Sequence, residues 1–297
     1  MQGLILINKP ENITSFGVVH KIKKLAGEKR VGHTGTLDPM ATGVLPVLVG
    51  RATVLSSYLL DADKTYLACI KLGVQTDTYD VTGKVLSTAS VNISPSELDH
   101  ALNSFLGVQH QVPPMFSALK KEGKKLYEFA RQGLEVDRQP RQVQIYSIRR
   151  VSDIVLNSFY VRIKCSKGTY IRSICNDLGK LLGCGAALVS LCRESTHGFN
   201  LDACVDLTEL TAQNIENHIL SEEIAVCTLR AIEVTQKQAI RFSNGGELDI
   251  LRLHIDSPED GEQFRIKYNR LLLGVGRYDA MKNAVVISCI VNQYTGE

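Results

Sequence analysis

No Cys-x-x-Cys pair occurs in this chain, although it carries eight cysteines: Cys69, Cys165, Cys175, Cys184, Cys192, Cys204, Cys227 and Cys289. Structural zinc sites draw on close ligand pairs, and disulfide scaffolds are short and dense in cysteine; scattered thiols in 297 residues fit neither. The cysteines read as reduced core thiols, and no metal is expected. A basic n-region is also missing, and the apolar run Leu4-Ile5-Leu6-Ile7 stops at Asn8-Lys9-Pro10, too short for a signal peptide or a membrane span. The expectation is a cytoplasmic protein without membrane contact. No G-x-G-x-x-G follows a strand, no Walker Lys-Ser/Thr follows a glycine loop, and neither solenoid-period repeats nor low-complexity tracts occur. Nucleotide cofactors and repeat architectures are thereby disfavoured. Net charge is only +3, so a nucleic-acid partner has to be argued from where positive charge is concentrated.

What is present is ordinary globular composition, 44% apolar and 22% charged, in a chain long enough for two unequal domains. Leu4–Ile7 reads as a buried strand. Thr14-Ser15 caps a helix from about Phe16 to Ala26, stopped by Gly27, with Phe16, Val19, Ile22 and Ala26 at helical spacing and Lys21, Lys23 and Lys24 left to solvent. Lys64–Gly73 has strand character, and Ser94-Pro95-Ser96-Glu97 opens a helix running toward Leu106. From Gln111 to Arg141 the chain turns basic, with Lys120, Lys121, Lys124, Lys125, Arg131, Arg138 and Arg141 around Pro113-Pro114, Tyr127 and Phe129. This is read as a projecting, helix-containing insertion. Strands over Val143–Arg149 and Ser158–Lys164 follow; in the second, Phe159, Val161, Ile163 and Cys165 share one face, marking a sheet covered on one side. Ile171, Ile174, Leu178, Leu181 and Leu182 then space a helix ended by Gly183. Residues 201–225 read as an acidic, helix-like stretch, and from Thr228 short β-like runs such as Leu271–Gly276 and Val285–Val291 suggest a second domain. Strands outside a regular βα alternation predict an α+β fold. The division expected is 1–225, with the insertion at about 111–141, and 226–297.

Chemistry concentrates in Gly32-His33-Thr34-Gly35-Thr36-Leu37-Asp38-Pro39-Met40-Ala41-Thr42-Gly43, where one carboxylate sits in a loop rich in glycine, threonine and proline. The glycines free the backbone for positive-φ turns, and Pro39 pushes Asp38 out of the α region. An Asp-Pro dipeptide alone is usually only a turn. The loop also resembles a phosphate cradle, but lacks the Walker lysine.

Together with Lys9-Pro10 and Thr14-Ser15, Lys64-Thr65-Tyr66, Leu72-Gly73 with Thr76-Asp77-Thr78, Val112-Pro113-Pro114-Met115-Phe116-Ser117-Ala118-Leu119-Lys120, and Lys167-Gly168-Thr169-Tyr170-Ile171-Arg172, this loop closely resembles the bacterial tRNA pseudouridine-55 synthase family, TruB. The motifs run in order over roughly the first two thirds of the chain. The resemblance implies a mixed, mainly antiparallel sheet of pseudouridine-synthase type with a thumb-like RNA-gripping insertion, and a small β-rich PUA-like domain at the end that would contact the acceptor end of tRNA. It also implies an isomerase that flips the T-loop uridine of tRNA and needs no cofactor. Asp38 matches the essential catalytic aspartate, Tyr66 a tyrosine stacked on the target base, and Arg172 an arginine paired with the aspartate. A cation near a helix N-terminus opposes the macrodipole, which by itself suggests a specific partner for Arg172. His33 matches a histidine that holds the RNA loop, and Tyr170 a tyrosine lining the pocket. Lys9, Lys120, Lys121, Lys124, Arg131 and Arg141 are carried as further RNA contacts, with the T-arm loop of tRNA as partner and a monomer as the assembly. The rivals are a non-catalytic module that binds or folds tRNA and, more remotely, an aspartate-dependent phosphotransferase, which would require a metal and a nucleotide.

Overall fold

Runs from the beginning, middle and later parts of the chain meet in one large sheet. A computed structural model describes residues 1–121, 123–253 and 255–296. Strands β1 (Gly3–Lys9), β2 (Val31–His33), β3 (Thr42–Val49) and β4 (Lys64–Leu72) are followed by a side hairpin, β5 (Val74–Thr76) and β6 (Val85–Thr88). Next come β7 (Gly107–Gln111), the two-residue strands β8 (Lys120–Lys121) and β9 (Lys124–Lys125), β10 (Arg141–Arg150), β11 (Ser158–Cys165), β12 (Ala186–Thr196), β13 (Phe199–Asn200) and β14 (Val205–Asp206). The sheet is ordered β14-β1-β3-β12-β4-β11-β10-β7, with β2 on β3 and β13 on β12. The β1–β14 and β12–β3 pairs are parallel, while the β1–β3, β4–β12, β4–β11, β10–β11 and β7–β10 pairs are antiparallel. This is the mixed, mainly antiparallel α+β arrangement expected.

One face of this sheet is covered by three helices, α1 (Ser15–Ala26), α3 (Pro95–Asn103) and α5 (Ile171–Leu181); α2 (Ser56–Leu60) is a short turn between β3 and β4, and α4 (Leu126–Arg131) belongs to the insertion. Each covering helix starts where its sequence dictates. Thr14 accepts from the Gly17 N–H, and Gly27 ends α1 in the left-handed region at φ 61°. Ser94 and Glu97 form a reciprocal capping box at α3. Val18, Val19 and Ile22 of α1, Leu98 and Leu102 of α3 and Ile174 and Leu178 of α5 pack on Ile5, Ile7, Ala68, Ile70, Phe159, Val161 and Ile163 of the sheet. A fully buried side chain of this size contributes about 1.5–3 kcal/mol. Arg150 on β10 grips Asp99 of α3 with Nε and Nη2, both at 2.9 Å, which fixes that helix on its strand.

Two helix-face expectations fail. Phe16, placed on the core stripe by spacing, is 69% exposed, because the buried stripe of α1 begins one residue earlier at Ser15. Leu181 is likewise exposed, since α5 ends there and its last turn has passed the edge of the core. The stretch 201–225 is also not the helix expected. It holds short 3-10 turns and the two-residue β14, because Val205, Leu207, Leu210 and Ile215 each plug the core at separate points and Thr211 and Asn214 hydrogen-bond local backbone instead of supporting a helix.

Farther along lies the β-rich module: β15 (Arg230–Glu233), α6 (Gln236–Ser243), β16 (Leu248–Asp249), β17 (Gln263–Tyr268), β18 (Leu271–Asp279) and β19 (Ala284–Ile290), in sheet order β15-β17-β18-β19-β16. Phe242, Phe264, Ile266 and Val285 fill its own core. Leu272, Val275 and Val291 pack instead against Leu4, Leu6 and Leu48, the residues of β1 and β3 that face away from α1. Among the described residues no helix is long and apolar enough to cross a membrane.

Candidate active site

The Asp38 loop links β2 to β3 and is tied down from below by the segment that precedes α1. Lys9 is fully buried, and its Nζ donates to the carbonyls of Pro10 and Ile13 at 2.8 Å and of Pro39 at 3.2 Å. Asn12 donates its N–H to the same Pro39 oxygen at 2.9 Å. The Ser15 hydroxyl accepts from the Leu37 N–H at 2.9 Å and donates to the Leu37 carbonyl at 3.0 Å. Lys9, expected among the RNA contacts, is thus an internal brace with its donors spent on protein carbonyls. Burial pushes its ammonium down to about 8, with Asp38 pulling the other way.

From the opposite side the loop rests on Arg193 of β12, which is 1% exposed. Its Nε donates to the Val44 carbonyl at 2.7 Å and its Nη2 to the Gly35 carbonyl at 3.0 Å. Gly43, at φ +102°, lies so close to β12 that a Cβ there would meet the Arg193 carbonyl oxygen at 2.3 Å. Lys64, nearly buried, caps the Leu60 and Ala62 carbonyls, and burial together with Arg193 pushes it down to about 8.

Above this floor stands Arg172, in the first turn of α5 and 4% exposed. Its Nη2 donates to Asp38 Oδ1 at 3.1 Å, and its Nε lies 2.8 Å from Oδ2, a charge contact whose N–H is not aligned on the oxygen. The same Nη2 donates to the Phe116 carbonyl at 2.8 Å, at the root of the basic insertion. Nη1 donates to the Thr78 carbonyl at 3.2 Å and sits 3.7 Å from Asp80 Oδ2. Asp80 is buried and accepts from the hydroxyls of Thr78 and Thr82 and from the Thr82 N–H. One guanidinium therefore balances two carboxylates, one sealed and one, Asp38, with its side chain 33% exposed.

Tyr66 projects from β4 opposite Arg193. Burial pushes its phenol up, Arg193 counters and Asp38 adds to the rise. His33 ends β2; burial and then Arg193 lower its imidazole, and its Nδ1 is buried without a hydrogen-bond partner. Tyr170 caps α5 and is half-buried, its phenol raised by burial with Ser117 opposing. Its backbone is splinted by Gln111, whose Oε1 accepts from the Tyr170 N–H at 2.7 Å and whose Nε2 donates to the Tyr170 carbonyl at 3.0 Å. Ser173 donates to the Val112 carbonyl at 3.0 Å. The root of the insertion is clamped to the start of α5 at Gln111, Val112 and Phe116.

The insertion itself is a lysine hairpin followed by α4. Lys120 pairs with Lys125 and Lys121 with Lys124. Arg131 and Lys125 both lie over the Tyr127 ring, at 5.3 and 5.4 Å from its centroid, while Lys121 donates to the Asp137 carbonyl. Arg141 opens β10, exposed, opposite Gln111.

With that geometry in place, a search of family models matches the TruB family pseudouridylate synthase N-terminal domain over residues 23–171 and the tRNA pseudouridylate synthase B C-terminal domain over 172–233. A protein of Clostridium acetobutylicum named tRNA pseudouridine synthase B is 44% identical over 279 residues, 93% of this chain and 95% of that one. The chain belongs to the TruB family of pseudouridylate synthases. A second relative of the same name, from Clostridium novyi, is 49% identical over 277 residues, again 93% of this chain and 95% of the other. Among solved structures, one chain of a Cbf5-Nop10-Gar1 complex superposes with a TM-score of 0.74 at 25% identity, covering 98% of this chain and 85% of that one.

Three residues of this TruB-family site escaped the sequence reading. Asp80 carried a signal, a second acid in the run Thr76-Asp77-Thr78-Tyr79-Asp80, but nothing local linked it to Arg172. Arg193 carried a clearer one, since it shares the inward parity of Leu191 on its strand, and a charge in that position demands partners. Gln111 carried none, because its partner is backbone.

Proposed function

We propose that this chain converts the T-loop uridine of tRNA, position 55, to pseudouridine. The single observation that carries this reading is the Asp38–Arg172 pair, a half-open carboxylate oriented by an otherwise buried guanidinium at the root of a lysine-rich insertion, in a member of the TruB family. The reaction breaks N1–C1′, turns the base, forms C5–C1′ and exchanges the C5 hydrogen for one on N1, with no redox change. Such chemistry needs a group held against the ribose and base that either bonds covalently or stabilises developing charge, and Asp38 is that group. In this reading Tyr66 stacks on the base, His33 and Tyr170 line the extruded nucleotide, and the hairpin Lys120, Lys121 and Lys124 with Arg131 and Arg141 holds phosphates. Extruding the base costs a few kcal/mol, which stacking and phosphate contacts offset. Residues 226–297 would serve as a PUA-like second grip on the tRNA, and the protein works in the cytoplasm.

Tritium release from an unmodified tRNA transcript labelled at uridine C5 tests this directly. Release by wild type, lost in Asp38→Asn and mapped to the T-loop uridine by nearest-neighbour analysis, is the expected result. Tight tRNA binding without release would instead make the chain a module that binds or folds tRNA.

A further inference from the structure

The exposed Phe16 ring has no packing role in the fold. The buried residues of α1 are Ser15, Val18, Val19 and Ile22, and Ile13, just before the helix, packs on the core. Yet the turn that carries Phe16 is bolted to the Asp38 loop, through Ser15 to Leu37 and through Asn12 and Lys9 to Pro39. Phe16 therefore follows directly the residue that holds the Asp38 loop, with 69% of its surface in water. Below it on the outward side of the helix come His20 and Lys24, both exposed, about 12 Å along the axis from Phe16 to Lys24. Lys29 and Arg30 are exposed just past the helix end. Across residues 16–30 the cations Lys23, Lys24, Lys29 and Arg30 face a single acid, Glu28, whose carboxylate accepts from the Arg30 N–H, while Lys21, expected in solvent, is half-buried and donates to the Leu207 carbonyl at 3.0 Å. Lys23 and Lys24 suit the negative end of the helix dipole, but that accounts for neither the ring at the opposite end nor the cations beyond the helix.

We infer that the outward ridge of α1, headed by Phe16 and continued by His20, Lys24, Lys29 and Arg30, is a second RNA contact contiguous with the active site. Phe16 stacks on an unpaired base next to the reacting nucleotide, and the cations hold the phosphates of the strand leading away from it. An exposed aromatic beside a stripe of cations is what a single-stranded or splayed segment requires, because every base offers a π-face and every nucleotide a charge. This inference rests on the RNA-modifying reading above for its partner.

Equilibrium binding of an unmodified tRNA transcript, measured against KCl concentration, tests it. Phe16→Ala is expected to raise Kd by about fivefold or more. Phe16→Tyr, which keeps the ring, should stay within about twofold of wild type, whereas Phe16→Leu, which keeps only apolar bulk, should behave as Phe16→Ala. Replacing Lys24 and Lys29 together by alanine should lower the slope of log K against log salt by about two. The inference is overturned if Phe16→Ala binds as wild type does, if Phe16→Leu restores affinity, or if the salt slope of the lysine variant is unchanged. Because binding is read directly, these outcomes stand apart from tritium release, whose absence in wild type would remove the isomerase reading alone.

Discussion

Nη2 of Arg172 is shared between the Asp38 carboxylate, at 3.1 Å, and the Phe116 carbonyl, at 2.8 Å. The Asp38 carboxylate and the root of the lysine-rich insertion are therefore joined through one atom. An arginine fork is required for this, since a lysine ammonium offers a point charge and cannot span Asp38, Asp80, Thr78 and Phe116 at once. Arg172→Lys should keep tRNA binding nearly intact while lowering single-turnover tritium release by roughly 10²-fold. Arg172→Met leaves the buried Asp80 uncompensated, and chemical denaturation should show a loss of about 3–5 kcal/mol. A variant with unchanged rate and stability would contradict the four-way role.

Gln111 makes both of its hydrogen bonds to the backbone of Tyr170. Gln111→Ala frees a donor and an acceptor at the start of α5, at a cost of about 1–3 kcal/mol in urea unfolding, and loosens the residue two positions before Arg172. Gln111→Glu keeps the acceptor for the Tyr170 N–H but sets a carboxylate against the Tyr170 carbonyl. It should be no better than alanine in turnover.

Gly43 has no room for a side chain. A Cβ at φ +102° would press on backbone atoms of Arg193, so either β3 parts from β12 or the Asp38 loop shifts. Gly43→Ala is expected to destabilise the protein by about 2–3 kcal/mol and to depress turnover beyond what partial unfolding explains. Thermal melts alongside single-turnover assays at low temperature separate the two effects.

Lys9 and Lys64 each have a folded-state pKa of about 8 against an ordinary 10.5, chiefly through burial. The unfolded chain then binds more protons between those values, so the burial cost is complete below pH 8 and is lifted as pH rises toward 10.5. Urea unfolding at stepped pH should show wild type gaining stability relative to Lys64→Met across that window. A difference that stays flat or falls would refute the assignment.

How much of this was legible beforehand differs residue by residue. Strands such as Ser158–Cys165 declare themselves through strict alternation, and caps such as Thr14 and Ser94 fix helix starts because their hydroxyls act over three residues. The Asp38 loop and Arg172 were legible through motifs. Phe16 was misplaced because a periodicity of 3.6 leaves two registers open for a short helix, and only packing chooses between them. Residues 201–225 looked helical because their apolar residues are spaced at intervals that a chain threading between β1 and the helices also uses. Asp80 and Arg193 act through contacts with residues far off in the chain, which no local pattern encodes. Lys9 looked like a surface cation because a lysine that spends its charge on three carbonyls is spelled the same way as one that meets phosphate.

The rear of β1 is covered by Leu272, Val275 and Val291, and Leu4 also exchanges backbone hydrogen bonds with Leu220. Leu272, Val275 and Val291 emerge from the ribosome long after Leu4 and Leu6. Until then the rear of β1 is covered only by residues such as Ala52, Leu55, Leu59, Ala225 and Val226, and the apolar area still open is the kind of surface that invites chaperone capture or self-association. A chain cut short just before residue 272 therefore keeps Arg172 and Arg193, the supports of its Asp38 loop, but lacks part of the wall behind β1.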